Sequence, residues 1–159
     1  DLIAKIGEKI TIGRLKTIEN SKSKIFTYNH SIVKENLSKL GVVVSLEFEK
    51  TSKDIEQFGK QLSMHIAASN PMSIEKKDIQ ENTIEKEKEI IQEELKNLGK
   101  SKEIAEKISL GKINKFKEDN SLLTQDWVMD PKLKVKDVLT KVDSMSLNIK
   151  DFIRIKIGE

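Results

Sequence analysis

The sequence predicts an α+β fold: a small antiparallel sheet covered by helices, with a projecting antiparallel coiled-coil hairpin. Three observations predict it. β-type patterns lie towards both ends of the chain, a well-marked amphipathic helix stands between them, and two highly charged helical stretches with narrow apolar seams follow that helix. The amphipathic helix is the pivot. Ile55, Phe58, Leu62 and Ile66 recur every three or four residues and so share one face. Ser52 is its expected N-cap, and Pro71 bars continuation beyond Ser69. The small residues Ala67, Ala68 and Ser69 let a neighbour approach the last turn closely. Such a helix should lie across a sheet built from both ends of the chain.

In chain order, residues 1–8 read as the end of a helix stopped by Gly7. Alternation from Ile10 to Ile18 predicts a strand, and polar Glu19–Lys24 a turn. Ile25–His30 is a second strand, and polar Ser31–Lys39 reads as a loop. The β-branched run Gly41–Phe48 is the strongest strand signal. The connector Asn70–Gln80 follows the pivot helix. Asn82–Asn97 is helical, with Ile84, Ile91, Leu95 and Leu98 on one seam. Gly99 suits a left-handed stop and Ser101 the next N-cap. The return helix, Lys102–Lys117, offers Ile104, Ile108 and Ile113. Each arm should be roughly 24 Å long at 1.5 Å per residue. Asn120–Pro131 reads as irregular, Val135–Val142 as a short helix, and Asp151–Gly158 as a half-exposed strand with Ile153, Ile155 and Ile157 on one face and Arg154 and Lys156 on the other. Residues 1–159 thus form one unit, into which the hairpin, residues 82–117, is inserted.

A chain of 159 residues suffices for one real core. The 29 basic and 26 acidic residues leave a net charge of +3, too balanced to imply nucleic-acid binding. Arg14 and Arg154 are the only arginines, which leaves few groups for bidentate phosphate recognition. The absence of cysteine excludes disulfides and thiolate chemistry. No apolar run reaches the ~20 residues of a membrane span, and no signal peptide is visible. The chain begins with Asp1 rather than Met, which suggests that an N-terminal portion is missing.

Convergent catalytic groups are scarce. His65 next to Ile66 reads as a core or helix-surface histidine rather than a base, because no neighbour in sequence orients it. No metal-binding, Walker-type or dinucleotide motif occurs. The run Glu85–Glu94 is interleaved with lysines and reads as a solvated face rather than a metal site. No catalytic residue, cofactor or metal is expected. Two segments stay open between a structural and a partner-facing role. Tyr28-Asn29-His30 is either a turn or a contact surface, and Trp127-Val128-Met129 either a core lid or an interface patch. Lys5-Ile6-Gly7 reads first as a helix terminus.

The segment MHIAASNP at 64–71 and the stretch from Ile84 to Phe116, IEKEKEIIQEELKNLGKSKEIAEKISLGKINKF, resemble the C-terminal half of elongation factor Ts from bacteria and organelles. The opening LIAKIGEKI and the closing FIRIKIGE fit the same family, so the resemblance runs from about Leu2 to Glu159. It implies a translation factor that promotes exchange of GDP for GTP on elongation factor Tu by binding, with no covalent chemistry. The chain would correspond to the C-terminal part of the family's core, or dimerisation, domain.

The resemblance also implies a grip on the third domain of Tu. The matching positions here are Ile6, Gly7, His30 and Val128. The family pattern Gln-Pro-Phe-Val stands here as Gln125-Asp126-Trp127-Val128, with the proline lost and an aromatic anchor kept. The family's N-terminal helical domain and its Thr-Asp-Phe-Val motif are not in this sequence, so binding without exchange is expected of these residues alone. A homodimerisation or interaction module is the alternative. RNA binding by the lysine-rich hairpin is disfavoured, because Lys and Glu are mixed along both arms. The compartment implied is the bacterial cytoplasm, or an organelle matrix or stroma.

Overall fold

The computed structural model describes residues 2–9, 11, 13–18, 23–35, 37–98, 101–143 and 145–159, with Leu2 and Ile3 by backbone alone. Its elements are α1 (Leu2–Ile6), β1 (Ser23–Lys34), β2 (Leu37–Glu47), α2 (Lys53–Ser69), α3 (Glu81–Asn97), α4 (Lys102–Asp119), β3 (Asp126–Trp127), β4 (Asp130–Lys134), α5 (Val135–Val142) and β5 (Asn148–Lys156). The fold is α+β. β1, β2 and β5 form an antiparallel sheet in that order, and β3 and β4 form a separate two-stranded ribbon.

Helix α2 forms where its sequence directs. The Ser52 hydroxyl accepts the Ile55 N–H at 3.1 Å, closing the N-terminus. Asn70 ends the helix in the left-handed conformation (φ 46°), donating its N–H to Ile66, and Pro71 follows. The apolar face of α2 lies on β1 and β2, packing Ile55, Phe58, Leu62 and Ile66 against Phe26, Leu40, Val42, Val44 and Leu46. Each such side chain, fully buried, contributes about 1.5–3 kcal/mol. Trp127, Val135, Leu122 and Leu147 complete this core on the same side of the sheet.

Register sets which face of β5 is inside. Val44 pairs with Phe152 and Val42 with Arg154, so Phe152 and Arg154 share the α2 side. Ile153 and Ile155 lie beside Val43 and Gly41 on the far face. The alternation of isoleucines with Arg154 and Lys156 left open which face is inside, and the register decides it. Arg154 is held under α2, its side chain 11% exposed, donating from Nε to the Ala67 carbonyl at 3.2 Å and pairing with Glu159 at 2.7 Å. A cation there satisfies a free carbonyl of the last turn and complements the helix dipole.

Two other expectations change. Thr11 and Gly13–Ile18 adopt no regular structure, while Ile10 and Ile12 lie outside the described residues. Alternation by itself supplies no hydrogen-bonding partner. The segment is tied by side chains instead, Lys16 to Asp151 at 3.7 Å and Arg14 to the Glu159 carbonyl at 3.5 Å. The loop expected over Ser31–Lys39 is instead a continuation of the ladder. β1 runs on to Lys34 and β2 starts at Leu37, with a register shift near Ile32 and a positive φ at Ser31. The segment is not uniformly polar: Ile32, Val33 and Leu37 stand exposed on this outer part of the ladder, and the turn lies between Lys34 and Leu37.

Helices α3 and α4 form a hairpin with its own apolar seam of Ile84, Ile91, Leu95 and Ile113, joined by Ile79 at its base. Leu98 and Ile104, expected on the seam, are exposed. Ser101 occupies the N-cap position of α4 without a side-chain capping bond, and Gly99 lies outside the described residues. No described helix is long and apolar enough to cross a membrane.

Candidate functional site

The Trp127 segment is not irregular. Trp127 pairs with Asp130, which leaves Val128 and Met129 as a two-residue turn at the tip of the β3–β4 ribbon. The two open roles for this segment divide along it. Trp127 is buried in the core, while Val128 and Met129 are 46% and 41% exposed.

A stack of rings along α2 holds the ribbon in place. Phe58 and His65 stand two turns apart on one helix face. The Trp127 indole lies over both, with centroids 5.8 Å from Phe58 and 5.2 Å from His65 and planes 20° from each. The imidazole then fixes the turn itself. The Val128 N–H donates to His65 Nδ1 at 3.3 Å, and His65 Nε2 meets Gln125 Oε1 at 3.1 Å. Because Nδ1 accepts, the proton must sit on Nε2, which donates to Gln125. The Gln125 amide group is oriented in turn by the carbonyls of Asp119 at 2.8 Å and Ser69 at 3.3 Å. His65 therefore has orienting partners after all, 60 and 63 positions away.

Burial pushes the His65 pKa below its ordinary 6.5, with the Gln125 hydrogen bond opposing the shift. The neutral form is the one the fold uses. A folded-state pKa below the unfolded one means that the unfolded chain binds the extra proton first. The stability tied to His65 is therefore complete above about pH 6.5 and is lost as pH falls below it towards the folded-state value. Thermal melts between pH 5 and 7 should show Tm dropping on the acid side. In His65→Asn that acid-side drop should be absent. A parent Tm that is flat across this range would show that His65 does not carry the linkage.

His30 lies within β1 rather than in a turn. It is exposed, and its Nδ1 lies 3.0 Å from the Tyr28 hydroxyl two residues back on the same strand face. Its place relative to Val128 follows from the direction of α2. Near the start of α2, Glu56 pairs with Lys24. Further along, Gly59 meets Phe26, and near the end Ala67 meets Arg154, whose row also contains Val42 and Tyr28. The next row, His30–Leu40–Lys156, therefore sits at the sheet end towards which α2 runs. Val128 is fastened to the C-terminal half of the same helix. His30, on β1, and Val128, beside α2, thus both lie towards one end of the helix–sheet layer. Ile6 ends α1 and is 50% exposed, and Gly7 follows with φ +70°, a helix stop as expected. No hydrogen bond or ion pair among the described residues ties these two to His30 or Val128.

The matching family model, described as Elongation factor TS, spans residues 1–159. The chain belongs to the elongation factor Ts family. Among the curated relatives of this name, the protein of Bartonella henselae is 38% identical over 162 residues, covering 100% of this chain and 53% of the relative. That of Erythrobacter litoralis is 37% identical over 160 residues, covering 99% of this chain and 52% of the relative. That of Clostridium kluyveri is 36% identical over 162 residues, covering 100% and 51%. The chain spans about half the length of the elongation factor Ts proteins it matches. Sequence reading named Tyr28 and Met129 only within two open segments, and it missed the His65–Gln125 pair as part of this site. The Gln125 spacing to Trp127 was visible, but nothing local connects it to His65.

Proposed function

We propose that this chain acts in translation elongation by binding elongation factor Tu, and that in the longer protein it supports exchange of GDP for GTP there. The reading rests on family membership. The observation that carries it is the exposed Val128–Met129 turn, held by buried His65 at the same end of the layer as His30. An apolar pair on a rigid two-residue turn loses little entropy on docking. Val128 supplies the apolar anchor and His30, steadied by Tyr28, a polar contact, while Ile6 and Gly7 extend the patch. The action is by binding energy: a partner that prefers nucleotide-free Tu lowers nucleotide affinity, and the coupling is reciprocal. The compartment that goes with this reading is the bacterial cytoplasm, or an organelle matrix or stroma.

Calorimetry with purified Tu tests it. Interface anchors cost about 1–4 kcal/mol on truncation, so Val128→Ala and His30→Ala should weaken binding by about tenfold or more while leaving Tm nearly unchanged. Unaltered affinity in both variants would refute this face.

A second reading is self-association. The far face of the sheet carries Ile25, Val43, Ile153 and Ile155, half-buried and apolar, and β1 and β5 are both edge strands. Sedimentation that gives a concentration-dependent mass without any Tu binding would favour it.

A further inference from the structure

The geometry points to one side of the α3–α4 hairpin as a docking groove for an acidic amphipathic helix of a partner protein, a surface separate from the Val128 site. A cavity of about 530 Å³ runs between the two helices on this side. Its floor is Leu95, Ala105 and Ile113, and its wall is Leu110, which is 66% exposed and belongs to neither buried cluster. The apolar residues of α4 are thus not confined to the seam with α3.

Charge distinguishes this groove from the other side of the hairpin. Lys88 and Lys96 on α3 and Lys102 on α4 rim it, against the single carboxylate of Glu106. None of the three lysines forms an ion pair with a described residue. On the opposite side the two lysines are both paired, Lys112 with Glu94 at 2.6 Å and Lys115 with Asp119 at 2.7 Å. Unpaired ammonium groups beside a leucine-lined trough complement a ligand with an apolar stripe between carboxylates. Lys88, Gln92 and Lys96 are spaced four residues apart, so they line the groove lengthwise over about 12 Å. A rod with a matching repeat, an α-helix with leucines on one face and glutamates flanking them, fits this layout and would complete a three-helix packing. Single-stranded nucleic acid fits it poorly, because the floor offers no aromatic ring for base stacking.

The test uses the full chain and a labelled peptide helix with leucines on one face flanked by glutamates, followed by fluorescence anisotropy. Binding is expected, and it should weaken as salt is raised. The triple variant Lys88→Glu/Lys96→Glu/Lys102→Glu and the single variant Leu110→Ser should each weaken it by about tenfold or more. Lys112→Glu/Lys115→Glu, on the other side, should change it by less than about twofold. All these positions are exposed, so circular dichroism melts should match the parent. No binding, equal binding of a peptide with lysines in place of the glutamates, or loss of binding only in the Lys112/Lys115 variant would overturn the proposal. So would a concentration-dependent mass of the chain that Leu110→Ser abolishes, which would make the groove a contact between copies.

Discussion

Trp127→Ala is expected to lower the free energy of unfolding by about 3–5 kcal/mol, the range for deleting a large buried aromatic. That is a large share of the 5–15 kcal/mol that holds a typical domain together. The loss has three parts here. The indole is 3% exposed, so nearly all of its transfer energy is forfeited. Phe58 and His65 lose the ring stacked over them. The ribbon then loses its anchor to α2, leaving the Val128 N–H and His65 Nδ1 free to separate. Trp127→Phe keeps a ring in the stack and should cost only a fraction of this. Urea denaturation followed by circular dichroism measures both, since fluorescence loses its only tryptophan. A Trp127→Ala loss under about 1 kcal/mol would mean that the ribbon is held by something other than the stack.

Gly59→Ala should invert the usual rule for helices. Alanine at an interior helical glycine ordinarily stabilises by about 0.5–1 kcal/mol. At Gly59 an added Cβ would sit 2.6 Å from three atoms of the Phe26 ring, and Phe26 is itself 5% exposed in the core. The ring cannot swing out without opening the β1–α2 contact, so the substitution should destabilise by about 1–3 kcal/mol, as overpacking does. Gly111→Ala in α4 is the matched control. Nothing lies within 4 Å of a Cβ there, so the ordinary gain of about 0.5–1 kcal/mol is expected. Phe26→Leu should relieve Gly59→Ala, giving a favourable coupling in a double-mutant cycle. If Gly59→Ala and Gly111→Ala stabilise alike, the close approach of Phe26 is not tight.

Legibility followed the range of the forces involved. Helix α2 was readable to within a residue, because its cap at Ser52, its apolar face and the stop before Pro71 are all local. Val135–Val142 and the hairpin arms were readable for the same reason. The strand expected at Ile10–Ile18 failed because alternation is only half of a strand. The other half is a partner edge, and Gly13–Ile18 have none. Of the candidate site, Val128 and His30 came from family resemblance, and their shared place towards one end of the layer could not be read from a separation of 98 positions. The His65–Gln125–Trp127 cluster was invisible because its members interact across two long segments of chain.

The sequence by itself determined the elements and their periods: apolar residues every three to four along α2, every second residue along β2 and β5, and mostly charged residues on the hairpin outside its seam. Those patterns arise from backbone geometry, which each residue meets within a few neighbours. Only the tertiary structure decided which face of β5 is inside, because Ile153 and Arg154 alternate equally well either way. Pairing with β2 turned Arg154 inward, where the open carbonyl of Ala67 could accept it. Only the tertiary structure made Gly59 a required contact rather than a weak point of a helix, by bringing in Phe26. In the same way it made His65 a neutral anchor for Val128, since that role exists only where the last turns of α2 meet a ribbon some sixty residues further on.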